Sequence, residues 1–126
     1  MEATGNDKQT ALMYAAQAGH QKTTRLLILS GANLEVQSPH HKTALMLAAQ
    51  SGRDTVVECL LREGANPEAQ TPQGETALTL ATAWNHPDVV KTLANFGKLT
   101  EPLKSAALEV AEKGNRTEVA QYLSAF

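Results

Sequence analysis

The sequence is poor in aromatic residues and in cysteine. Aromatic side chains make up 4% of the 126 residues, and Cys59 is the single cysteine. With so few rings available, the core must be built from Ala, Leu and Val, which are small and let helices pack closely. A lone cysteine cannot form an internal disulfide, so we expect a reducing, intracellular and cytoplasmic setting.

Runs of one charge and long apolar runs are also missing. The net charge is −2 and the Lys and Arg residues are scattered singly, so nothing favours binding to nucleic acid or to an anionic membrane. No run approaches the roughly 18 apolar residues that span a bilayer, and the first nine residues, MEATGNDKQ, contain no apolar leader segment. At this length we expect one domain, residues 1–126, and a monomer.

Groups that would support catalysis are absent as well. Neither nucleotide-binding glycine pattern occurs. His20, His40, His41 and His86 have no Cys or carboxylate pair at ligand spacing, so structural or solvated roles are favoured over a metal site. Cys59 is interpreted as a small hydrophobic residue rather than a reactive thiol. We therefore predict no catalytic residue, no cofactor and no metal, and an enzyme is the least favoured function.

What the sequence does contain is a repeat. TALMYAAQAG at 10–19 returns as TALMLAAQSG at 43–52 and as TALTLATAWN at 76–85. Self-similarity at one fixed period is the signature of a repeat architecture. The step of 33 residues is kept by Thr10, Thr43 and Thr76, by Leu12, Leu45 and Leu78, and by Gly31, Gly64 and Gly97.

Each copy predicts two short helices. Thr43 is a good N-cap for the first helix, and Gly52 can end it in the left-handed conformation, a role that Asn85 takes in the third copy. Apolar residues in 56–61 form one face of the second helix. Pro-containing polar stretches between the copies predict projecting turns. Helices this short are marginal alone, so the units must stack on one another.

The period, the T-A-L-x-x-A start, the Gly stop and the G-A-N ending resemble the ankyrin repeat over about residues 4–126. Ala replaces the family's Pro after each Thr, and Met13, Met46 and Thr79 replace its His. The resemblance implies an all-α ankyrin-repeat solenoid. We expect three helix-turn-helix repeats at about 5–37, 38–70 and 71–100, followed by a degenerate C-terminal capping repeat at about 101–126.

Both ends of the array differ from its middle. Thr23 and Thr24 stand where the later units have valines, which predicts a polar outer face on the first unit. In the cap, the spacing predicts that the first helix ends at Gly114. Residues 117–123 then repeat the pattern of 54–60 with a shift of one.

The resemblance implies binding of a partner protein in a concave groove made of turn tips and first helices. The predicted tips are Asn6-Asp7, Pro39-His40 and Pro72-Gln73. His41 and Lys8 stand where the third turn has Gly74, so both need an uncommon backbone conformation or a different turn. The predicted partner-binding residues are Gln17, Pro39, His40, Lys42, Gln50, Ser51, Pro72, Gln73, Glu75, Ala83 and Trp84.

Trp84 is the most distinctive of these positions. Its equivalents are Ala18 and Ser51, and such variation is not expected in a close-packed interior, so we expect Trp84 to be at least partly exposed. An exposed Trp favours a binding role. The alternative is that its ring covers the short linker to the cap. The expected function is a non-enzymatic protein-protein interaction module; the alternative is a small inhibitor or stabilising subunit of one specific enzyme.

Overall fold

The computed structural model describes residues 5–35, 37, 41–96 and 101–124 of the chain. Over these residues it contains helices and no strand, in four consecutive pairs. This confirms the all-α repeat fold. The first helices of the pairs are α1 (Gly5–Ala18), α3 (Ala44–Gln50), α5 (Ala77–Ala83) and α7 (Glu101–Lys113). The second helices are α2 (Gln21–Leu29), α4 (Asp54–Arg62), α6 (Pro87–Phe96) and α8 (Thr117–Ser124).

Threonine caps begin the first helices of the second and third units, as predicted. The Thr43 hydroxyl accepts a hydrogen bond from the Met46 N–H at 3.3 Å, and the Thr76 hydroxyl accepts one from the Thr79 N–H at 3.2 Å. Thr79 also accepts from the Thr76 N–H at 2.8 Å, which completes a reciprocal capping box. Two backbone donors that helix formation leaves unpaired are thereby satisfied in the third unit.

The first unit begins differently. Helix α1 starts at Gly5, so Thr10 lies inside the helix and does not cap it, and Asn6, Asp7 and Lys8 are helical. The prediction of a turn tip there is wrong. Residues 6–9 contain neither Pro nor Gly, so no local breaker stops the helix from extending toward the N-terminus.

Every first helix ends in the same backbone motif. The residue after the turn donates its N–H to a carbonyl five positions earlier, as in His86 to Ala81 at 2.8 Å and Arg116 to Ala111 at 2.8 Å. The residue before it takes a left-handed conformation, which glycine and asparagine tolerate best. These residues are Gly19 (φ 81), Gly52 (φ 73), Asn85 (φ 60) and Asn115 (φ 56).

The motif corrects the predicted end of the cap helix. Asn115, not Gly114, has the positive φ. Aligned on Asn115, residues 117–123 match 54–60 with no shift, and Val119 and Leu123 are buried as their equivalents Val56 and Leu60 are. Counting to the nearest glycine gave the wrong position because Asn serves the turn as well.

One hydrogen bond joins each unit to the next at this turn. The residue that follows the left-handed position extends its side chain back to the carbonyl group near the end of the preceding first helix. We call these three bonds the inter-unit ladder. They join Arg53 Nε to Gln17 O (3.0 Å), His86 Nε2 to Gln50 O (3.1 Å) and a terminal guanidinium nitrogen of Arg116 to Ala83 O (3.0 Å).

The core is continuous through the stack, from Leu12 in α1 to Leu123 in α8. The first helices contribute alanines and the second helices contribute valines and leucines, which agrees with the composition. His86 has the structural role expected of it, since its ring belongs to the ladder.

The predicted polar outer face of the first unit is confirmed at Thr23, which is exposed, and is wrong at Thr24. Thr24 is fully buried and its hydroxyl donates to the His20 carbonyl at 2.7 Å, so its polarity is satisfied inside the structure. Large apolar side chains are also exposed on this unit: Tyr14 is 74% exposed, Leu26 65% and Leu29 70%. A threonine whose hydroxyl bonds to its own helix fills an interior position as a valine would.

A double-mutant cycle tests the ladder. A Cβ added to Gly52 would lie 2.7 Å from His86 Cε1, so Gly52→Ala must displace the ring that bonds to Gln50. We expect a loss of about 2 kcal/mol for Gly52→Ala, largely from backbone strain plus that bond. His86→Ala alone should cost about 1 kcal/mol. In urea unfolding, the double variant should lose about 1 kcal/mol less unfolding free energy than the two single losses added together.

The control is Gly64→Ala combined with His86→Ala, because a Cβ at Gly64 meets nothing within 4 Å. That pair should be additive. Additive losses for Gly52→Ala and His86→Ala would contradict the ladder contact.

A second prediction concerns the end of α7. Asn115→Ala should destabilise the protein by about 1 kcal/mol, because Ala tolerates the left-handed conformation poorly. The unfolding free energy of Gly114→Ala should be within about 0.5 kcal/mol of the wild-type value or higher, since Gly114 has no positive φ. Thermal unfolding of the two variants decides the position, and a larger loss for Gly114→Ala would reinstate the glycine as the stop.

Candidate functional site

The turn that precedes α5 is fixed by its own hydrogen bonds. The Gly74 N–H donates to the Thr71 carbonyl at 2.8 Å, and the Thr71 N–H donates to the Glu75 carbonyl at 3.0 Å. The Thr71 hydroxyl accepts from the Glu75 N–H at 3.1 Å. The predicted tip, Pro72 and Gln73, is exposed. The turn therefore presents two side chains on a backbone that is already ordered.

The second turn is described only from His41 onward; Pro39 and His40 lie outside the described residues. His41 has φ 64, so the uncommon conformation predicted from its alignment with Gly74 is confirmed. Beside it, Lys42 Nζ donates to Gln50 Oε1 at 2.6 Å. Two predicted partner-binding residues thus bind each other along α3, where both are half-buried.

The other predicted residues lie at the C-terminal ends of the first helices. Gln17 and Ala83 are exposed there, and Ser51 is half-buried. The carbonyl groups of Gln17, Gln50 and Ala83 accept the ladder bonds, which leaves only their side chains to face a partner.

Trp84 is the C-cap residue of α5 and is 59% exposed, so the predicted exposure is confirmed. Residues 97–100, the linker that the alternative role has Trp84 cover, lie outside the described residues. Both roles of the indole ring therefore stay hypotheses.

A shallow depression of about 240 Å³ lies between the third turn and α7. Gln73 and Glu75 line it, as do Gly74 and Thr79. The cap contributes residues that the sequence did not point to: Ala106, Glu109, Val110 and Lys113. Glu109 and Lys113 form an ion pair at 3.2 Å on the exposed face of α7.

The depression holds one of the two groups of predicted residues, the turn residues Gln73 and Glu75, and none of those at the helix ends. The turn and Trp84 lie at opposite ends of α5, about 10 Å apart for a helix of seven residues. The matching end motifs make Lys113 the equivalent of Ala83 in α7, and Arg116 bonds to Ala83 O. Lys113 therefore stands level with Ala83 in the stack, although neither Ala83 nor Trp84 lines the depression. Alignment of the cap on Asn115 is the signal that could have identified these α7 residues.

The family model described as Ankyrin repeats (3 copies) matches residues 1–71 and 46–125. The chain belongs to the ankyrin-repeat family. Ankyrin repeats generally bind partner proteins, and the family is typically non-enzymatic. A search of curated proteins finds no significant match.

Three features of the described residues bear on chemistry: possible metal ligands, helix length and the state of Cys59. In residues 5–35, 37, 41–96 and 101–124, no group of three His, Cys, Asp or Glu could hold a metal ion. None of the described helices is both long and apolar enough to cross a membrane. Cys59 is 8% exposed, and burial, followed by the charge of Glu63, raises the pKa of its thiol. A protonated thiol is a weak nucleophile, which agrees with the interpretation of Cys59 as a small hydrophobic residue.

Alkylation by iodoacetamide tests this interpretation. At pH 8 the native thiol should react at least about tenfold more slowly than in urea, because the thiolate is scarce and access is restricted. Because the unfolded thiol ionises at lower pH than the native one, the unfolding free energy should fall as the pH rises above about 8.5. Cys59→Ala is the control and should show a smaller fall. Equal alkylation rates in the native and unfolded states would contradict the burial of the thiol.

Proposed function

We propose that this ankyrin domain is a protein-protein interaction module without catalytic activity, working as a cytoplasmic monomer. In this proposal a partner protein lies along the depression between the third turn and α7 and reaches Trp84. The depression carries the proposal, because an ordered turn tip and apolar side chains line it, and a strip of surface along α5 would lead from it to the exposed Trp84.

The shape and chemistry of the depression favour a protein over a small molecule. Its volume of about 240 Å³ is below the range of roughly 300–1,000 Å³ usual for enclosed ligand pockets. Ala106 and Val110 give it apolar surface, while Glu75, Glu109 and Lys113 carry charges. An apolar centre with a charged rim is the ordinary anatomy of a protein interface.

Order in the free protein supports the same conclusion. The turn is held by the bonds of Thr71, and the end of α5 is held by the ladder bond to Ala83. Binding therefore costs little backbone entropy at either end of the strip. Trp84 is 59% exposed, so contact with a partner would remove apolar surface of its ring from water. Trp is also the residue type most enriched among energetic hot spots.

Site-specific photo-crosslinking in cells that express the chain tests the proposal. A photoreactive amino acid at Gln73 or at Lys113 should capture a partner, whereas one at Asp88, exposed on the second helix α6, should not. With the captured partner purified, Val110→Asp and Trp84→Ala should each weaken binding at least about tenfold. Thr55→Ala, an exposed change on α4, is the matched control and should leave the affinity unchanged.

Two results would count against the proposal. Capture that is as efficient from Asp88 as from Gln73 would place the partner elsewhere, and an affinity unaffected by Val110→Asp would remove the depression from the interface. An equimolar complex with one enzyme, whose activity falls on binding, would favour the inhibitor or stabilising-subunit alternative over a general interaction module.

A further inference from the structure

The outer side of α2, at the N-terminal end of the stack, carries an apolar stripe flanked by two cations. Leu26 is 65% exposed and Leu29 is 70% exposed. Together with Lys22 and Arg25 they line one shallow surface. The four residues follow the spacing i, i+3, i+4, i+7, so they share one face of the helix.

In later units the position of Leu26 is buried or half-buried, whereas the positions of Lys22 and Leu29 are exposed: they are Thr55 and Arg62 in the second unit and Asp88 and Asn95 in the third. Leu26 corresponds to Cys59, which is 8% exposed, and Tyr14, 74% exposed, corresponds to Leu80, 3% exposed. The difference follows the stacking, because α2 packs against α4 and α4 against α6, whereas no described element lies on the outer side of α2. At Leu26 the exposed stripe therefore occupies a position on which, in later units, a neighbouring second helix packs.

The charges indicate which helix fits. Helix α2, QKTTRLLIL, contains no acidic residue. Lys22 and Arg25 form no ion pair among the residues that the structure describes. On its inner side, Arg25 lines a cleft with Glu58 and Glu63, so α2 is already packed against a helix with acidic residues. Two copies joined through their α2 faces would bring the cations together, which disfavours a symmetric dimer.

We propose that the outer face of α2 docks an amphipathic helix of a partner protein. That helix presents a leucine-type stripe to Leu26 and Leu29 and carboxylates to Lys22 and Arg25. This surface is separate from the depression along α7, so a partner could occupy each of them.

A pair of synthetic peptides tests the docking. Each is a helix-stabilised peptide of about 18 residues with Leu at i, i+3, i+4, i+7, flanked by Glu in one and by Lys in the other. In titrations of the full chain followed by NMR, the acidic peptide should shift the amide signals of residues 21–30. It should bind at least about tenfold more tightly than the basic peptide, and salt should reduce that difference.

Variants of the chain locate the contact. The double variant Leu26→Ser, Leu29→Ser should bind the acidic peptide at least about tenfold more weakly, because both positions lose apolar contact area. Both residues are largely exposed, so the variant should unfold at an unchanged temperature. Trp84→Ala should leave the affinity unchanged, which separates this surface from the depression.

Four outcomes would overturn the docking proposal. The first is equal binding of the two peptides, and the second is amide shifts centred on residues 71–75 and 106–113. The third is flotation with phosphatidylserine vesicles in the absence of peptide binding. The fourth is self-association, measured by sedimentation, that the double Leu→Ser variant abolishes.

Discussion

The hydrogen bond from each turn to the preceding first helix is the contact on which the rest of the stack depends. The donor reaches the carbonyl only because the chain reverses at a left-handed residue directly before it. Gly52 and Asn85 therefore end a helix and also aim the next side chain at the neighbouring unit. The donor alternates between Arg and His, while the acceptor is always a backbone carbonyl. The stacking thus depends on a donor of sufficient length rather than on one residue type.

Because the acceptor is a backbone carbonyl, a position can have a fixed backbone and still vary in its side chain. The ladder uses the carbonyl groups of Gln17, Gln50 and Ala83 and makes no demand on their side chains. The next position makes an ordinary C-cap as Ser51 or as Trp84. A Trp is tolerated there because the backbone, not the side chain, holds the unit in place. Variable surface residues can therefore change without loss of the stack.

The two ends of the described stack differ in chemistry. At the C-terminal end, α8 exposes Glu118 and Gln121, and α7 begins at the exposed acidic residue Glu101. At the N-terminal end, Leu26 and Leu29 remain exposed beside cations. A polar end face is satisfied by water, whereas an apolar one gains free energy when a further element covers it. The proposed docking helix lies at the apolar end for this reason.

The sequence by itself determined the period, the pairing of helices, the threonine caps of the second and third units and the left-handed role of Asn85. These features depend on backbone preferences within a few residues, so they can be predicted from short stretches of sequence. It also made the exposure of Trp84 predictable, since Ala, Ser and Trp do not share one packed site. Only the tertiary structure decided that Thr24 belongs to the interior, that Asn115 ends α7, and that Val110 and Lys113 line the depression. The burial of Thr24 and the lining of the depression depend on which surfaces the neighbouring helices cover, and such contacts form between residues distant in sequence. At the end of α7, local preference alone allowed either Gly114 or Asn115.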